Sequence, residues 1–144
     1  MTRSMQEEIV TMADNTAEII HESSGLARCK PMQRPERPLA NSKGFGWNPI
    51  WAGKCNLSAI GLTVFDDGHA EFDGDVFSLH DPHSDSWGCK FHFNDDHGVQ
   101  IYEFGWIWSP SLTPTAIRWH SGNQLFYPSY MFQSVFSPWF EYHC

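Results

Sequence analysis

Basic residues are scarce in this sequence outside a short N-terminal stretch, and the scarcity excludes several classes of partner. From Gly44 to the C-terminus there are only three Lys or Arg against eleven Asp or Glu, and the chain of 144 residues has a formal net charge of −8. A surface of that sign repels nucleic-acid phosphates and anionic lipid headgroups. We therefore expect no nucleic-acid partner and no membrane partner.

Long apolar runs are also missing. No segment approaches the about 20 apolar residues of a membrane-spanning helix, and residues 1–24 lack the apolar core of a secretory signal. The four cysteines are widely spaced, with no Cys-x-x-Cys pair. We therefore predict a cytoplasmic protein with four reduced thiols, and the alternative is one bridge between Cys55 and Cys144.

The sequence lacks the motifs of common cofactor and nucleophile chemistry. There is no Gly-rich phosphate loop and no Gly-x-Ser-x-Gly elbow. The turn at residues 80–85 contains two His and two Asp, but it lacks the spacing of a recognised metal site. We predict that the protein uses no cofactor and holds no metal.

What is present divides the chain into three parts. Apolar residues recur at helical spacing over residues 5–22, so residues 1–27 are predicted to be a helical extension. Pro and basic residues alternate over residues 28–43, which predicts a linker. Residues 44–144 consist of short strand-like runs between turn clusters, which predicts a β domain.

The clearest element is a β-hairpin around Asp67-Gly68, a dipeptide that tolerates the positive φ angles of a tight turn. After the turn, apolar residues from Ala70 to Val76 alternate with Glu71, Asp73 and Asp75, giving one apolar face and one acidic face. With the two strands of this hairpin included, strands are predicted at residues 45–51, 57–65, 69–79, 87–93, 99–108, 115–120 and 130–136, and an eighth at 138–143 is the alternative to seven. We predict an all-β fold, an antiparallel closed or nearly closed, calycin-like barrel of seven to eight strands with an N-terminal helix. A β-sandwich is the alternative.

Candidate catalytic residues follow from alternation along the strands. Glu103 shares a predicted face with Val99, Ile101 and Ile107, where burial would raise the pKa of its carboxyl and suit it to acid/base chemistry. Arg118 and His120 share a face of the next strand. With Tyr102 they could donate hydrogen bonds to a substrate oxygen. The competing structural interpretation pairs Glu103 with Arg118 or Lys90, or Arg118 with a surface Asp.

The sequence is rich in aromatic residues, which make up 15% of it, and these supply candidate walls for a substrate pocket. The predicted substrate-binding residues are Trp87, Phe91, Trp106, Trp108, Trp119 and Phe132. A second set of catalytic candidates consists of Asp73, Asp75 and His92. The two Asp residues become candidates if the acidic face of the hairpin lines the interior.

One set of motifs is spread over residues 45–144 and consists of Trp51, Gly53-Lys54-Cys55, the run from Asp67 to Ser78, Asp85-Ser86-Trp87, Tyr127-Pro128 and Cys144. This set resembles the pattern of a family of small, mostly uncharacterised bacterial β proteins. This resemblance implies a β fold and no assigned catalytic residues. A short barrel with an aromatic interior also resembles, in architecture, the small cyclases and isomerases of natural-product pathways.

These observations support two main hypotheses. The first is a cofactor-independent cyclase, isomerase or lyase acting on a hydrophobic small molecule of polyketide or terpenoid type. The second is a non-catalytic module that binds a small molecule or a carbohydrate, and a third class is a partner-binding or immunity-type protein. A homodimer is also considered. An enzyme would enclose its rings around a buried ionisable group, whereas a binding module would present them on an open face.

Overall fold

The computed structural model describes residues 22–28, 30–31, 41–79 and 85–144. The helix predicted over residues 5–22 therefore lies almost entirely outside the described residues. The same holds for much of the predicted linker and for most of the His-containing turn at 80–85.

The described residues form eleven strands and one short helix. The strands are β1 (Ser24–Arg28), β2 (Lys30–Pro31), β3 (Ser42–Trp47), β4 (Ile50–Ala52), β5 (Cys55–Phe65), β6 (His69–Ser78), β7 (Gly88–Asn94), β8 (Gln100–Trp108), β9 (Ile117–His120), β10 (Leu125–Phe126) and β11 (Trp139–His143). A 3₁₀ helix at Ser129–Ser134 precedes β11. Within the described part of the chain, no helix has the length and apolarity needed to span a membrane.

The strands form two antiparallel sheets, and neither sheet closes on itself. The smaller sheet has the order β1-β11-β7-β8. The larger sheet has the order β10-β6-β5-β3-β2, with β4 also paired to β5 and β9 to β6. The all-β prediction is confirmed, and the closed barrel is wrong. The alternative, a sandwich-like arrangement, describes the fold.

The β5–β6 hairpin was predicted from sequence and is confirmed. Gly68 has a φ of 99°, and its N–H donates to the Phe65 carbonyl at 3.2 Å, which closes the turn. Along β6 every second residue is buried, from Ala70 to Ser78. The apolar face of β6 points into the core, and the acidic face points outward.

Aromatic rings join the inner faces of the two sheets. Phe91 of β7 lies between rings of the larger sheet, with its centroid 5.2 Å from Phe72 of β6 and 6.2 Å from Trp47 of β3. Trp47 also meets Phe140 of β11 edge-on at 5.1 Å. These contacts place the main core between the sheets, where buried aromatic surface supplies much of the stabilisation.

Two sequence predictions about the ends of the domain need correction. Residues 24–28, assigned to a helical extension and the start of a linker, form β1, which pairs in full with β11. Residues 130–136, predicted as a strand, lie mostly in the 3₁₀ helix. The Lys43 ammonium donates to the carbonyls of Phe132 and Val135 at 2.7 and 2.8 Å, and these bonds hold the carboxyl end of the helix.

The prediction of four reduced thiols is also wrong, and the alternative of one bridge between Cys55 and Cys144 is confirmed. Cys55, at the start of β5, is disulfide-bonded to Cys144, which follows β11, so the bridge joins the two sheets. Cys89 is a free, buried thiol, and burial raises its pKa well above the usual value. Cys29 lies outside the described residues.

Candidate functional site

The outer face of the smaller sheet brings several sequence-predicted residues together through an irregularity in β8. Lys90 pairs with Trp106 and His92 pairs with Glu103, so Phe91 alone lies opposite both Phe104 and Gly105. An extra residue of this kind reverses the alternation of faces. Glu103 therefore lies on the same face as Trp106 and Trp108, whereas strict alternation placed it on the opposite one.

The strand register arranges this surface, which we call the outer face, in three rows that cross the strands. Each row contains one residue from each of β1, β11, β7 and β8. The rows are Arg28-Trp139-His92-Glu103, Leu26-Glu141-Lys90-Trp106 and Ser24-His143-Gly88-Trp108.

Trp106 and Trp108 form the most exposed aromatic surface of the outer face. Their rings are nearly parallel, at 22°, with centroids 5.7 Å apart. The two residues remain 40% and 51% exposed. Trp108 lies across Gly88 so closely that a Cβ on residue 88 would be 2.4 Å from the ring. The missing side chain at Gly88 therefore allows Trp108 to lie against the sheet.

We expect Gly88→Ala to displace the Trp108 ring and weaken the Trp106–Trp108 stack. The ring is half exposed and can swing outward, so the free energy of unfolding should change by less than about 1 kcal/mol. Near-ultraviolet circular dichroism should show loss of the coupled signal of the two indoles. The matched control is Gly105→Ala on the neighbouring strand, where an added Cβ meets nothing within 4 Å. An unchanged spectrum for the Gly88 variant would contradict this explanation.

Glu103 differs from its sequence-based description in both burial and ionisation. Its side chain is 47% exposed and lies 2.9 Å from the Lys90 ammonium. The hydrogen bond and charge of Lys90 lower the pKa of the Glu103 carboxyl, and Glu103 in turn raises the pKa of Lys90. The raised pKa predicted for Glu103 is therefore wrong, and the competing structural interpretation, a carboxylate paired with Lys90, is confirmed. Its catalytic role stays a prediction.

We expect Lys90→Met to raise the pKa of Glu103 toward its ordinary value. Because the folded-state pKa of Glu103 is lowered, the ion pair contributes above the ordinary pKa of the carboxyl and its contribution is lost as pH falls through the lowered pKa. Carboxyl ¹³C resonances followed across acid pH would measure the change. Asp95 is the internal control, because backbone hydrogen bonds from Val99 and His97 lower its pKa. A Glu103 titration unchanged by the substitution would contradict the pairing.

His92 and Trp139 form the polar end of the outer face. The His92 ring is stacked on Trp139, with centroids 3.9 Å apart and an 8° angle between the planes. Its Nε2 lies 2.7 Å from Glu141 Oε2, and its Nδ1 lies 2.8 Å from Gln100 Oε1. The Arg28 guanidinium lies over the Trp139 ring at 5.6 Å. These contacts fix side chains in the row of the outer face next to the row of Trp106.

Four of the predicted catalytic residues lie on the larger sheet, whereas Glu103, Tyr102 and His92 lie on the smaller one. Arg118 is exposed and is paired with Asp73 and Asp75 at 3.6 and 3.4 Å, as the structural interpretation expected. His120 is exposed, and its Nδ1 accepts a hydrogen bond from the Gly122 N–H at 3.0 Å. Asp73 and Asp75 belong to the outward face of β6, so they do not line the interior. The structure does not join these residues to Glu103 in one site.

Most of the predicted substrate-binding rings are core residues. The buried ones are Trp87, Phe91, Trp119 and Phe132. Trp87 donates its indole N–H to the Asn56 carbonyl at 3.0 Å, and Trp119 packs edge-on against Phe72 at 5.0 Å. Tyr102, a predicted catalytic donor, is partly buried and packs edge-on against Phe104 at 4.9 Å. Of the six predicted rings, only Trp106 and Trp108 present a broad surface to solvent.

Two groups in the described residues have the composition of a metal site. One is Asp95, Asp96 and His97, in an exposed turn where Asp95 Oδ1 already accepts hydrogen bonds from the His97 and Val99 N–H groups at 2.9 Å each. The other contains Cys55 and Cys144 with Asp85, but the two sulfurs are bonded to each other. Turn formation and the disulfide account for these groups, and we assign no metal to either.

Sequence reasoning missed several residues of the outer face. These are Arg28, Leu26, Gly88, Glu141 and Trp139. Their positions depend on pairing between strands far apart in sequence, such as β1 with β11, and on the irregular register of β8. The available signal was the pair of Trp residues two positions apart on a strand, which alternation correctly placed on one face.

Comparison with known proteins gives a family and no more specific relative. A family model described as a family of unknown function (DUF6294) matches residues 61–144. No curated protein and no solved structure matches the chain. The matched region includes β7, β8 and β11, which carry most of the outer face. This finding confirms an uncharacterised family, whereas the sequence motif and the likeness to cyclases stay predictions.

Proposed function

We propose that this chain, which belongs to the DUF6294 family, is a binding module that holds a carbohydrate against Trp106 and Trp108. The observation that carries the proposal is the exposed, nearly parallel pair of indole rings on an open sheet. Large aromatic rings are usually buried, and adjacent exposed ones mark interaction sites. The apolar faces of sugar rings pack well on such surfaces, and their hydroxyl groups bond to surrounding polar side chains.

The distribution of aromatic rings favours this function over the cyclase hypothesis. A cyclase was expected to enclose its rings around a buried ionisable group. Here the enclosed rings pack against one another in the core, and Glu103 is exposed and paired with Lys90. Trp106 and Trp108 instead lie on an open face, as expected of a binding module.

The charges beside the two rings favour a carbohydrate over an ionic ligand. The outer face has two permanent cations, Arg28 and Lys90, and two carboxylates, Glu103 and Glu141. Lys90 is held by Glu103 at 2.9 Å, so it offers little unpaired charge to an anion. Paired ionic groups retain donors and acceptors that suit uncharged hydroxyl groups. An outer face with equal numbers of cations and carboxylates therefore suits an uncharged ligand that carries many hydroxyl groups.

The disulfide favours a compartment other than the cytoplasm. Stable bridges form and persist in oxidising compartments, and they are rare where thiols are kept reduced. The Cys55–Cys144 bond therefore favours an oxidising compartment for this protein. Polysaccharides of cell walls and extracellular matrices are ligands available in such surroundings.

Affinity electrophoresis tests the proposal. The chain would be run through native gels containing neutral polysaccharides, with the Trp106→Ala/Trp108→Ala variant beside it. We expect at least one polysaccharide to retard the wild type and not the variant. Equal mobility of the two proteins in every gel would overturn the proposal, and analytical ultracentrifugation would then show whether the indole pair covers a second copy instead.

A further inference from the structure

The middle row of the outer face extends well beyond the two indoles. Its residues are Trp106 on β8, Lys90 on β7, Glu141 on β11 and Leu26 on β1, each opposite the next. Neighbouring strands lie about 4.8 Å apart, so the row spans about 14 Å from β8 to β1. One sugar ring is too short to cover that distance.

The chemistry of the row changes along its length. Trp106 at one end and Leu26 at the other are exposed apolar residues, and Leu26 is 50% exposed. Between them lie the ammonium of Lys90 and the carboxylate of Glu141, which can donate and accept hydrogen bonds. Apolar ends separated by a polar centre match a ligand that repeats ring faces and hydroxyl groups along its length.

Both ends of the row lie on edge strands of the four-stranded sheet. In the strand order of this sheet, β1 and β8 are the outer members and pair with a single neighbour each within it. Among the described residues, no further strand extends this sheet beyond β1 or β8, so a ligand lying across the strands can continue past either edge. This arrangement suits a segment within a glycan chain better than a single sugar at the end of one.

We propose that the ligand is a neutral glycan chain that lies across the strands along this row, with Lys90, Glu141 and Leu26 as further binding residues. The inference rests on the proposed function, because it extends the same binding surface. Neutrality follows from the two cations and two carboxylates of the outer face together with the net charge of −8, which repels acidic polymers. Lys90 and Glu141 bind hydroxyl groups near the middle of the chain, and Leu26 packs on a sugar beyond them.

Calorimetric titration with oligosaccharides of increasing length tests this inference. The probes are neutral oligomers of glucose, mannose, xylose and N-acetylglucosamine, from one to six residues, with oligogalacturonate as the acidic comparison. For the neutral series that binds, affinity should rise at least about tenfold between one and four residues. Leu26→Ala should weaken binding of the longest oligomer roughly three- to fivefold and leave the shortest unaffected. Leu79→Ala, at an exposed leucine after β6, is the matched control and should change nothing.

The outcomes separate this inference from the proposed function. Binding that depends on Trp106 and Trp108 but not on oligomer length or Leu26 would overturn the chain-spanning site and leave the binding module standing. Tighter binding of oligogalacturonate than of every neutral series would overturn the neutral ligand. Binding unaffected by loss of both indoles, or absent for every probe, would overturn the proposed function and this inference with it.

Discussion

Replacing both Cys55 and Cys144 by Ser is expected to lower the free energy of unfolding by about 4–5 kcal/mol. The bridge links residues 89 positions apart, and a cross-link over so long a segment strongly restricts the unfolded chain. It also joins the start of β5 in the larger sheet to the end of β11 in the smaller one. Equilibrium denaturation in urea, followed by tryptophan fluorescence, measures the effect.

Reductant supplies the control for this prediction. Dithiothreitol should lower the urea midpoint of the wild type toward that of the double variant and leave the variant itself unchanged. Cys89→Ala should keep the response to reductant, because Cys89 is a free thiol outside the bridge. A double variant as stable as the oxidised wild type would show that the bridge does not stabilise the fold.

The second large effect is expected on binding. Trp106→Ala combined with Trp108→Ala should weaken affinity for the neutral glycan at least about a hundredfold, since loss of about 1.4 kcal/mol from each ring gives a factor of ten. Aromatic residues commonly dominate binding surfaces in this way. The free energy of unfolding should change by less than about 1 kcal/mol, because both side chains are substantially exposed. Isothermal titration calorimetry and urea denaturation measure the two quantities.

An exposed aromatic residue elsewhere provides the matched control for the binding effect. Tyr130, in the 3₁₀ helix, is 80% exposed and belongs to none of the three rows of the outer face. Tyr130→Ala should bind the glycan as the wild type does. If Tyr130→Ala weakens binding as strongly as loss of both indoles, general surface aromaticity and not the outer face would explain the interaction.

Local sequence patterns correctly predicted the hairpin but wrongly predicted that the strands close into a barrel. The turn at Asp67-Gly68 and the alternation from Ala70 to Val76 depend only on residues close together in sequence. The structure has both the turn and the buried face. Whether a sheet closes depends on which strands form its edges, and that depends on pairing between residues far apart in sequence. The same reason explains why β1, whose partner is β11, was assigned to an extension and a linker.

The candidate site could be predicted only in part, for a related reason. Alternation placed Trp106 and Trp108 together, because those two residues lie on a regular stretch of β8. It placed Glu103 on the wrong face, because Phe104 and Gly105 together lie opposite Phe91. Burial of Glu103 was inferred from that wrong face, so the predicted direction of its pKa shift was wrong as well.

The most direct test of the central claim is a titration of ¹⁵N-labelled protein with a neutral oligosaccharide of the same sugar as the polysaccharide that retards the chain in gels. We predict that the indole N–H signals of Trp106 and Trp108 shift most, with smaller shifts for backbone amides of Leu26, Lys90 and Glu141. Signals of Arg118 and His120, which lie on β9 of the larger sheet, should stay in place. Shifts concentrated at Arg118 and His120, with Trp106 and Trp108 unmoved, would contradict the account.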